Sequence, residues 1–274
     1  MRKFAVLRNT EKDNAESISK QIASFLIEKG AACRILDRGE NVPEDAECLL
    51  VLGGDGTLLR AAKKVLDAGT PLLGINLGTL GYLAEVDQKS IFPSLEHLIA
   101  NECTIEKRMM LEGTIYQEDQ AVFRDLALND VVITRQGHPR VLRFKNYVNG
   151  AFLNEYQADG IILSSATGST GYSLSAGGPI VSPEAKLLIM TPLAAHTLNI
   201  RSIILSSKDR ITVEIGKGHS EEAASASVSF DGEDGVPVTT GSRIVVKRAS
   251  KCTRIVKINN ISFLEVLRTK MADT

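Results

Sequence analysis

Apolar residues in the first hundred positions follow two different spacings. Short, mostly apolar runs at Lys3–Leu7, Ala32–Leu36, Leu49–Leu52 and Leu72–Ile75 have the length of strands. Between the first two, Ala15, Ile18, Ile22, Phe25 and Leu26 fall at the i, i+3, i+4 spacing of one buried helix face. Thr10 is the expected N-cap of that helix, and Gly30 stands where its end wants a left-handed residue. A second helix is predicted from Thr57 or Leu58 to about Asp67, stopped by Gly69, and a third from Ser90 to about Ala100. Strands alternating with helices imply parallel pairing through right-handed crossovers, hence an α/β sheet.

The texture changes near Thr104. Short β-rich stretches then recur at Thr114–Tyr116, Asp130–Thr134, Leu142–Val148, Ala151–Glu155, Ile161–Leu163, Arg210–Ile215, Ser225–Phe230, Ile244–Lys247 and Arg254–Ile258. Asn149-Gly150, between two of these runs, is the strongest hairpin signal in the chain, because both central residues of such a turn need positive φ. This half reads as an antiparallel, sandwich-like β domain. The expected division is therefore an α/β domain over 1–103 and a β-rich domain over 104–261, α+β overall. A terminal helix over 262–274, with Phe263, Leu264, Leu267 and Met271 at helical spacing, is expected to pack back on the first domain.

Composition narrows the function classes. With Lys+Arg 32 against Asp+Glu 33 in 274 residues, the chain has no basic field for a nucleic-acid backbone or an anionic membrane. The absence of Trp argues against a stacking platform for single strands. The longest apolar stretch spans only Cys48–Leu52, far short of the roughly 20 residues of a membrane helix. Met1-Arg2-Lys3 leads into just Phe4–Leu7 before Arg8, so no secretory signal is expected. Cys33, Cys48, Cys103 and Cys252 are scattered, without metal spacing, which points to a reducing cytoplasm rather than to zinc or disulfides.

The sharpest motif is Gly53-Gly54-Asp55-Gly56-Thr57, directly after a buried strand and before a helix. Glycines allow the main chain to approach a ligand, and the helix start offers unpaired N–H groups to phosphate. It is neither a P-loop nor a dinucleotide fingerprint. A carboxylate there is repelled by phosphate, and makes sense as the acceptor of a proton from an attacking hydroxyl or as a metal ligand; a plain turn with Asp55 as helix cap is the alternative. A second Gly-rich block runs Thr167–Pro179 and carries Thr170, Tyr172 and Ser175, with Asp159-Gly160 upstream at the head of the strand Ile161–Leu163. Asn129-Asp130 precedes an apolar strand and offers one donor and several acceptors suited to vicinal sugar hydroxyls, though such a pair is often only a turn. The Asn76–Tyr82 loop follows a parallel strand, the edge at which α/β sheets place ligands. His196 reads as a turn residue and His97, His138 and His219 as solvated surface positions, so no histidine is given a catalytic role.

In order and spacing these blocks resemble the NAD kinase family: Gly53–Leu58, Gly74–Glu85, Asn129-Asp130, Asp159–Pro179, Pro192–Arg201 with His196-Thr197-Leu198, and Ser229-Phe230-Asp231-Gly232. The first block alone is shared with lipid and sugar kinases; the Thr167–Pro179 block beside Asn129-Asp130 is far more specific. The resemblance implies phosphorylation of the adenosine ribose 2′-hydroxyl of NAD by ATP or polyphosphate with Mg²⁺ or another divalent cation, in a homodimer or homotetramer. It implies Asp55 as general base and Gly56 as its neighbour at the phosphates, while Gly53, Gly54 and Thr57 are expected at the phosphates from the turn itself. It further implies Asn129 and Asp130 on ribose hydroxyls, Tyr82, Thr170, Tyr172 and Ser175 around adenine, and Asp159 toward nicotinamide. Two departures stand out: Asp130 where the family usually has Glu, and Gly171 where it commonly has Ala. A lipid or sugar kinase with another acceptor pocket, and a non-catalytic dinucleotide-binding module, are the competing readings. Asp55 weighs against the second, since a pure binder gains nothing from an anion beside phosphates.

Overall fold

The computed structural model describes residues 1–12, 14–78, 81–136, 141–196, 199–217, 224–259 and 262–272. Two compact units emerge: one from Met1–Arg108 with Cys252–Thr274, the other from Met109–Lys251. The division thus falls a few residues beyond 103 and returns at Cys252, ahead of the terminal helix.

In the first unit the chain runs β1 (Lys3–Arg8), α1 (Ala15–Glu28), β2 (Ala32–Leu36), β3 (Cys48–Leu52), α2 (Asp55–Lys64), β4 (Leu72–Ile75) and α3 (Ile91–Ile99). The strands pair in parallel in the order β2-β1-β3-β4, with Phe4 opposite Cys48 and Leu49 opposite Leu72. Every residue of β3 and β4 is buried, which is why their sequences read as continuous apolar runs. Ile22 and Leu26 of α1 and Ile91, Leu95 and Leu98 of α3 complete one core with Val6, Leu50, Leu52 and Ile75. Burying each such side chain contributes roughly 1.5–3 kcal/mol.

Helix boundaries differ from expectation at three points. Thr10 does not cap α1: the chain first makes turns closed by Lys12 N–H to Asn9 C=O and Ala15 N–H to Lys12 C=O. The cap position is Asn14, left-handed at φ 66° and without a side-chain cap bond. The second helix starts at Asp55 rather than Thr57, because extended Gly54 already serves as its cap. It ends at Lys64, where turns carry the chain to left-handed Gly69, whose N–H donates to Val65 C=O.

The second unit holds the rest of β5 (Thr104–Gln117), then β6 (Gln120–Ala127), β7 (Asp130–Arg135), β8 (Leu142–Val148), β9 (Ala151–Ser165), the single-turn α4 (Tyr172–Ser175), β10 (Leu187–Ala195), β11 (Ile203–Ser206), β12 (Arg210–Ile215), β13 (Ser225–Phe230), β14 (Val236–Thr239) and most of β15 (Arg243–Lys257). The pairs β5–β6, β8–β12, β12–β15 and β10–β11 are antiparallel, as are those made by β9 and β13. The long strand β9 meets β8, β7 and β10, while β7 meets β13 and β13 meets β14. Asn149 and Gly150, at φ 53° and 84°, make the hairpin turn between β8 and β9 that the sequence foretells. Val131, Ile133, Phe144, Ile161, Leu163, Val213, Val228 and Phe230 belong to one core. Back in the first unit, β15 places Ile255 beside Leu72, and α5 (Phe263–Ala272) ends the described chain.

Candidate functional site

In the first unit, the wholly buried β3 delivers Gly53, whose N–H donates to Ile75 C=O at 3.0 Å. Asp55 is the first residue of α2. Its carboxylate turns to the chain beyond β4 and accepts N–H bonds from Tyr82 at 2.9 Å and Leu83 at 3.1 Å. That chain segment is returned to the sheet by Asn76 N–H to Val86 C=O at 2.8 Å and Glu85 N–H to Gly74 C=O at 3.1 Å. It is then pinned by the Glu85 side chain, which is buried and accepts from Lys257 Nζ and from the N–H groups of Ile258 and Asn259. Two N–H bonds fix the direction of the Asp55 carboxylate yet leave lone pairs on both oxygens. A Cβ on Gly54 or Gly56 would meet nothing within 4 Å, so the first turn of α2 presents accessible main chain with unpaired N–H groups. Thr57 faces inward: it is buried, and its hydroxyl accepts from Asn9 Nδ2 at 3.4 Å. The Tyr82 ring lies 5.9 Å from Lys270 Nζ of α5.

In the second unit, Asn129 and Asp130 occupy the turn that leads into β7. Asn129 C=O accepts from Ser165 N–H at 2.8 Å and Ser164 Oγ at 3.2 Å, and Leu128 C=O accepts from Ser165 Oγ at 2.5 Å. Asn129 Oδ1 is buried and has no hydrogen-bond partner among the described residues. An unmet buried acceptor costs about 1–3 kcal/mol, released when a ligand hydroxyl donates to it. Among the described residues nothing donates to the buried Asp130 carboxylate, and burial, reinforced by the charge of Asp231, pushes it up to about 7. Close against this turn packs a 3-10 turn at Thr167–Thr170, which leads through Gly171 into α4, with the Thr170 hydroxyl donating to Thr167 C=O at 3.3 Å. Tyr172 is 44% exposed and Ser175 is exposed, so both remain open to a ligand.

The expected residues therefore fall into two groups, each assembled within its own unit. Gly53, Gly54, Asp55, Gly56, Thr57 and Tyr82 gather around the start of α2. Asn129 and Asp130 stand beside the segment that carries Thr170, Tyr172 and Ser175. Asp159 differs from expectation in its setting: it lies within β9 rather than at a strand head, ion-paired with Arg135 Nε at 2.9 Å. His97 is exposed and pairs with Glu102, and His196 is exposed just after β10. His138, His219, Thr79, Leu80, Thr197 and Leu198 lie outside the described residues.

Several residues with a role in the site's geometry lie within the blocks that resemble the family, yet the sequence assigns them no individual role. Gly81, Gly168 and Asp231 are the clearest. A Cβ on Gly168 would fall 2.2 Å from Asn129 C=O, so only glycine lets the two segments touch. Asp231-Gly232 belongs to the Ser229–Gly232 block, but nothing local in that block says what its carboxylate holds. Among the described residues no group of three or more His, Cys, Asp or Glu is placed to hold a metal ion. No described helix is long and apolar enough to cross a membrane.

Comparison with known proteins agrees across the chain. The family model for the ATP-NAD kinase N-terminal domain matches residues 9–103, and that for the ATP-NAD kinase C-terminal domain matches 128–258. An NAD kinase of Lachnospira eligens is 44% identical over 99% of this chain and its own full length. One from Caldanaerobacter subterraneus is 39% identical over the whole of both chains. Among solved structures, a yeast NADH kinase complexed with NADH superposes with a TM-score of 0.85 at 23% identity, covering 99% of this chain and 88% of that one. An NAD kinase from Archaeoglobus fulgidus in complex with ATP gives 0.79 at 23% identity over both full chains. At that identity these two likenesses speak for the fold.

Proposed function

The chain belongs to the ATP-NAD kinase family, and from that premise we infer that it is an NAD kinase. It transfers the terminal phosphoryl group of ATP or polyphosphate to the adenosine ribose 2′-hydroxyl of NAD, forming NADP. The observation that carries the residue assignment is the Asp55 carboxylate, fixed by Tyr82 and Leu83 N–H at the first position of α2.

Phosphoryl transfer asks little covalent work of a protein; positioning and charge neutralisation dominate. The open main chain at Gly54 and Gly56 and the N-terminus of α2 receive the donor phosphates. Gly53 sets the turn from below, where Thr57 packs against it. Asn129 Oδ1 and the Asp130 carboxylate, both without donors of their own, accept hydrogen bonds from ribose hydroxyls. Tyr82, Tyr172, Thr170 and Ser175 border the adenine, and Asp159 with Arg135 lies toward the nicotinamide end. Asp55 takes the 2′-hydroxyl proton as the oxygen attacks phosphorus; a sugar hydroxyl is a weak nucleophile at neutral pH, and a carboxylate about 2.6–3.2 Å away is the minimum equipment.

The divalent cation fits this donor set, since Mg²⁺ keeps most of its shell as water and phosphate oxygen and needs one or two carboxylates at most. It neutralises charge on the donor phosphates when bound. The four cysteines are free thiols, which suits a cytoplasmic protein. Phe152, exposed at 61%, and Leu153 beside the β8–β9 turn suit burial in a homodimer or homotetramer.

The test pairs activity with binding. Purified protein with Mg-ATP and NAD forms NADP, read with an NADP-specific dehydrogenase. Asp55→Asn binds NAD within a few-fold of the parent by calorimetry, while turnover falls about two to four orders of magnitude. Undiminished turnover removes Asp55 from the chemistry. A panel with diacylglycerol and fructose 6-phosphate as acceptors separates this reading from the wider kinase group, and NAD binding without ADP release would indicate a sensing module.

A further inference from the structure

Asp231 follows β13 with a left-handed backbone, φ 53°. Its carboxylate accepts N–H bonds from three successive residues: Leu128 at 2.7 Å, Asn129 at 2.7 Å and Asp130 at 3.2 Å. Its own N–H returns to Asp130 C=O at 3.0 Å. Three consecutive N–H groups converging on one point form an anion-binding concavity, here filled by the protein's own carboxylate. The turn so bound is the one that bears Asn129 and Asp130.

Holding the turn does not by itself require charge. The second side of the arrangement does. Donors gather around Asp231, while among the described residues none reaches the Asp130 carboxylate. The groups facing Asp130 are Ser164 opposite on β9, Asn129 beside it, and Gly171, whose Cβ would lie 3.8 Å from Asp130 Oδ2; all are uncharged. Asp231 is the charged neighbour, and its effect adds to burial in disfavouring the Asp130 anion. Ribose hydroxyls donate best to an ionised carboxylate, so nucleotide binding and proton release from Asp130 are linked.

We propose that Asp231 is a positioning residue for the dinucleotide, its carboxylate holding the Asn129-Asp130 main chain in place while its charge, added to the burial of Asp130, makes the hold on ribose hydroxyls tighten with rising pH. This rests on the reading of Asn129 and Asp130 as the ribose-binding pair. In the acid range Asp130 carries a proton and offers the sugar a weaker acceptor; above neutrality it is an anion with room for two hydroxyls.

The experiment measures KM for NAD and kcat from pH 5.5 to 8.5 for the parent, Asp231→Asn, Asp231→Glu and Asp130→Asn. In the parent, KM falls about tenfold as pH rises through about 7. Asp231→Asn keeps kcat within about threefold and moves the KM limb roughly one unit toward acid. Asp231→Glu, which retains the charge, leaves the limb in place even where KM rises. A limb unmoved in Asp231→Asn, with KM raised evenly at all pH values, overturns the proposal and leaves Asp231 a purely structural brace. An Asp130→Asn variant with the parent's KM and limb sinks the underlying ribose reading instead. Should the Asp231 variants fail to fold, calorimetry of NAD binding to the parent at pH 6.5 in two buffers of different ionisation enthalpy decides: proton release of about half an equivalent or more supports the proposal, and none refutes it.

Discussion

Gly81 lies so close to Asp55 that a Cβ on it would fall 2.0 Å from Oδ1 and 2.5 Å from the carboxyl carbon. The contact is the consequence of Asp55 accepting the next two N–H groups, of Tyr82 and Leu83. A short side chain held at two points cannot swing aside without giving up both. Gly81→Ala is therefore expected to turn the Asp55 carboxylate away from its place, lowering kcat about ten- to a hundredfold, with stability down by about 1–3 kcal/mol. KM for NAD should change less than kcat, because the ribose-binding pair is untouched and only Tyr82, at the adenine, adjoins the substitution. Steady-state kinetics beside urea unfolding reads both quantities, and an unchanged kcat would show that the geometry of this carboxylate does not matter to turnover.

A second pair of glycines separates a forbidden side chain from a tolerated one within four residues. At Gly168 a Cβ would meet the Asn129 carbonyl oxygen at 2.2 Å and its carbon at 2.5 Å, both main-chain atoms inside a hydrogen-bonded turn. At Gly171 it would stand 3.3 Å from Asn129 Nδ2 and from Gly168 C=O, a fit that small shifts accommodate. Gly168→Ala should cost about 2–4 kcal/mol and raise KM for NAD at least several-fold, whereas Gly171→Ala should stay within about 1 kcal/mol of the parent. Thermal melts and NAD titrations of the two variants provide the check; equal behaviour would contradict the packing described.

Much of this arrangement is legible in the sequence, and the rest is hidden for identifiable reasons. Strands β3 and β4 read clearly because burial on both faces leaves no polar residue to interrupt them, and Asn149-Gly150 names its own turn. The edge strand β6 is harder, since its first residues, Gln120 to Arg124, are exposed and show no alternation of apolar and polar positions. β10 contains Pro192, a residue that argues against a central strand. In the site, Asp55 and Asn129-Asp130 stand out because a carboxylate amid glycines or at a strand mouth is chemically conspicuous. Asp231 acts through contacts about a hundred positions away in the chain, and no local pattern encodes a partner so distant. Gly81 and Gly168 are required by what approaches them, which only the folded chain reveals.

The buried carboxyl of Asp130 also makes stability depend on pH. Its folded value of about 7 lies above the ordinary 3.8, through burial first and the Asp231 charge second. The folded state thus prefers the protonated form. That contribution is fully present below 3.8 and is lost as pH rises through about 7, at up to roughly 1.4 kcal/mol per pH unit between the two. Replacing Asp130 with Asn keeps the shape and abolishes the titration. The parent should lose stability relative to Asp130→Asn between pH 5 and 8, by about 2–4 kcal/mol in total, measured by urea unfolding at each pH. Parallel curves for the two proteins would show that Asp130 ionises without penalty.

Glu85 ties the segment that holds Asp55 to the chain after β15. Its side chain, 3% exposed, pairs with Lys257 and accepts N–H bonds from Ile258 at 3.2 Å and Asn259 at 3.0 Å, while Asn259 Nδ2 donates back to Glu85 C=O at 3.3 Å. Removing one partner of so enclosed a cluster leaves a cation and two N–H groups unmet, a loss of about 3–5 kcal/mol where water cannot enter. Lys257 is 28% exposed and recovers part of its hydration, so Glu85→Ala should cost about 2–4 kcal/mol. Glu85→Gln keeps an acceptor for the N–H groups and loses only the charge, and it should cost less. Tyr82 and Leu83 lie just upstream, so slackening this anchor loosens the two N–H groups that aim Asp55. Turnover should therefore fall in the same order as stability, Glu85→Ala below Glu85→Gln below the parent, with KM for NAD changing less than kcat because Asn129 and Asp130 are untouched. Urea midpoints and kcat for the three proteins test the coupling: if Glu85→Ala is destabilised while kcat stays at the parent value, the anchor stabilises the fold without steering the carboxylate.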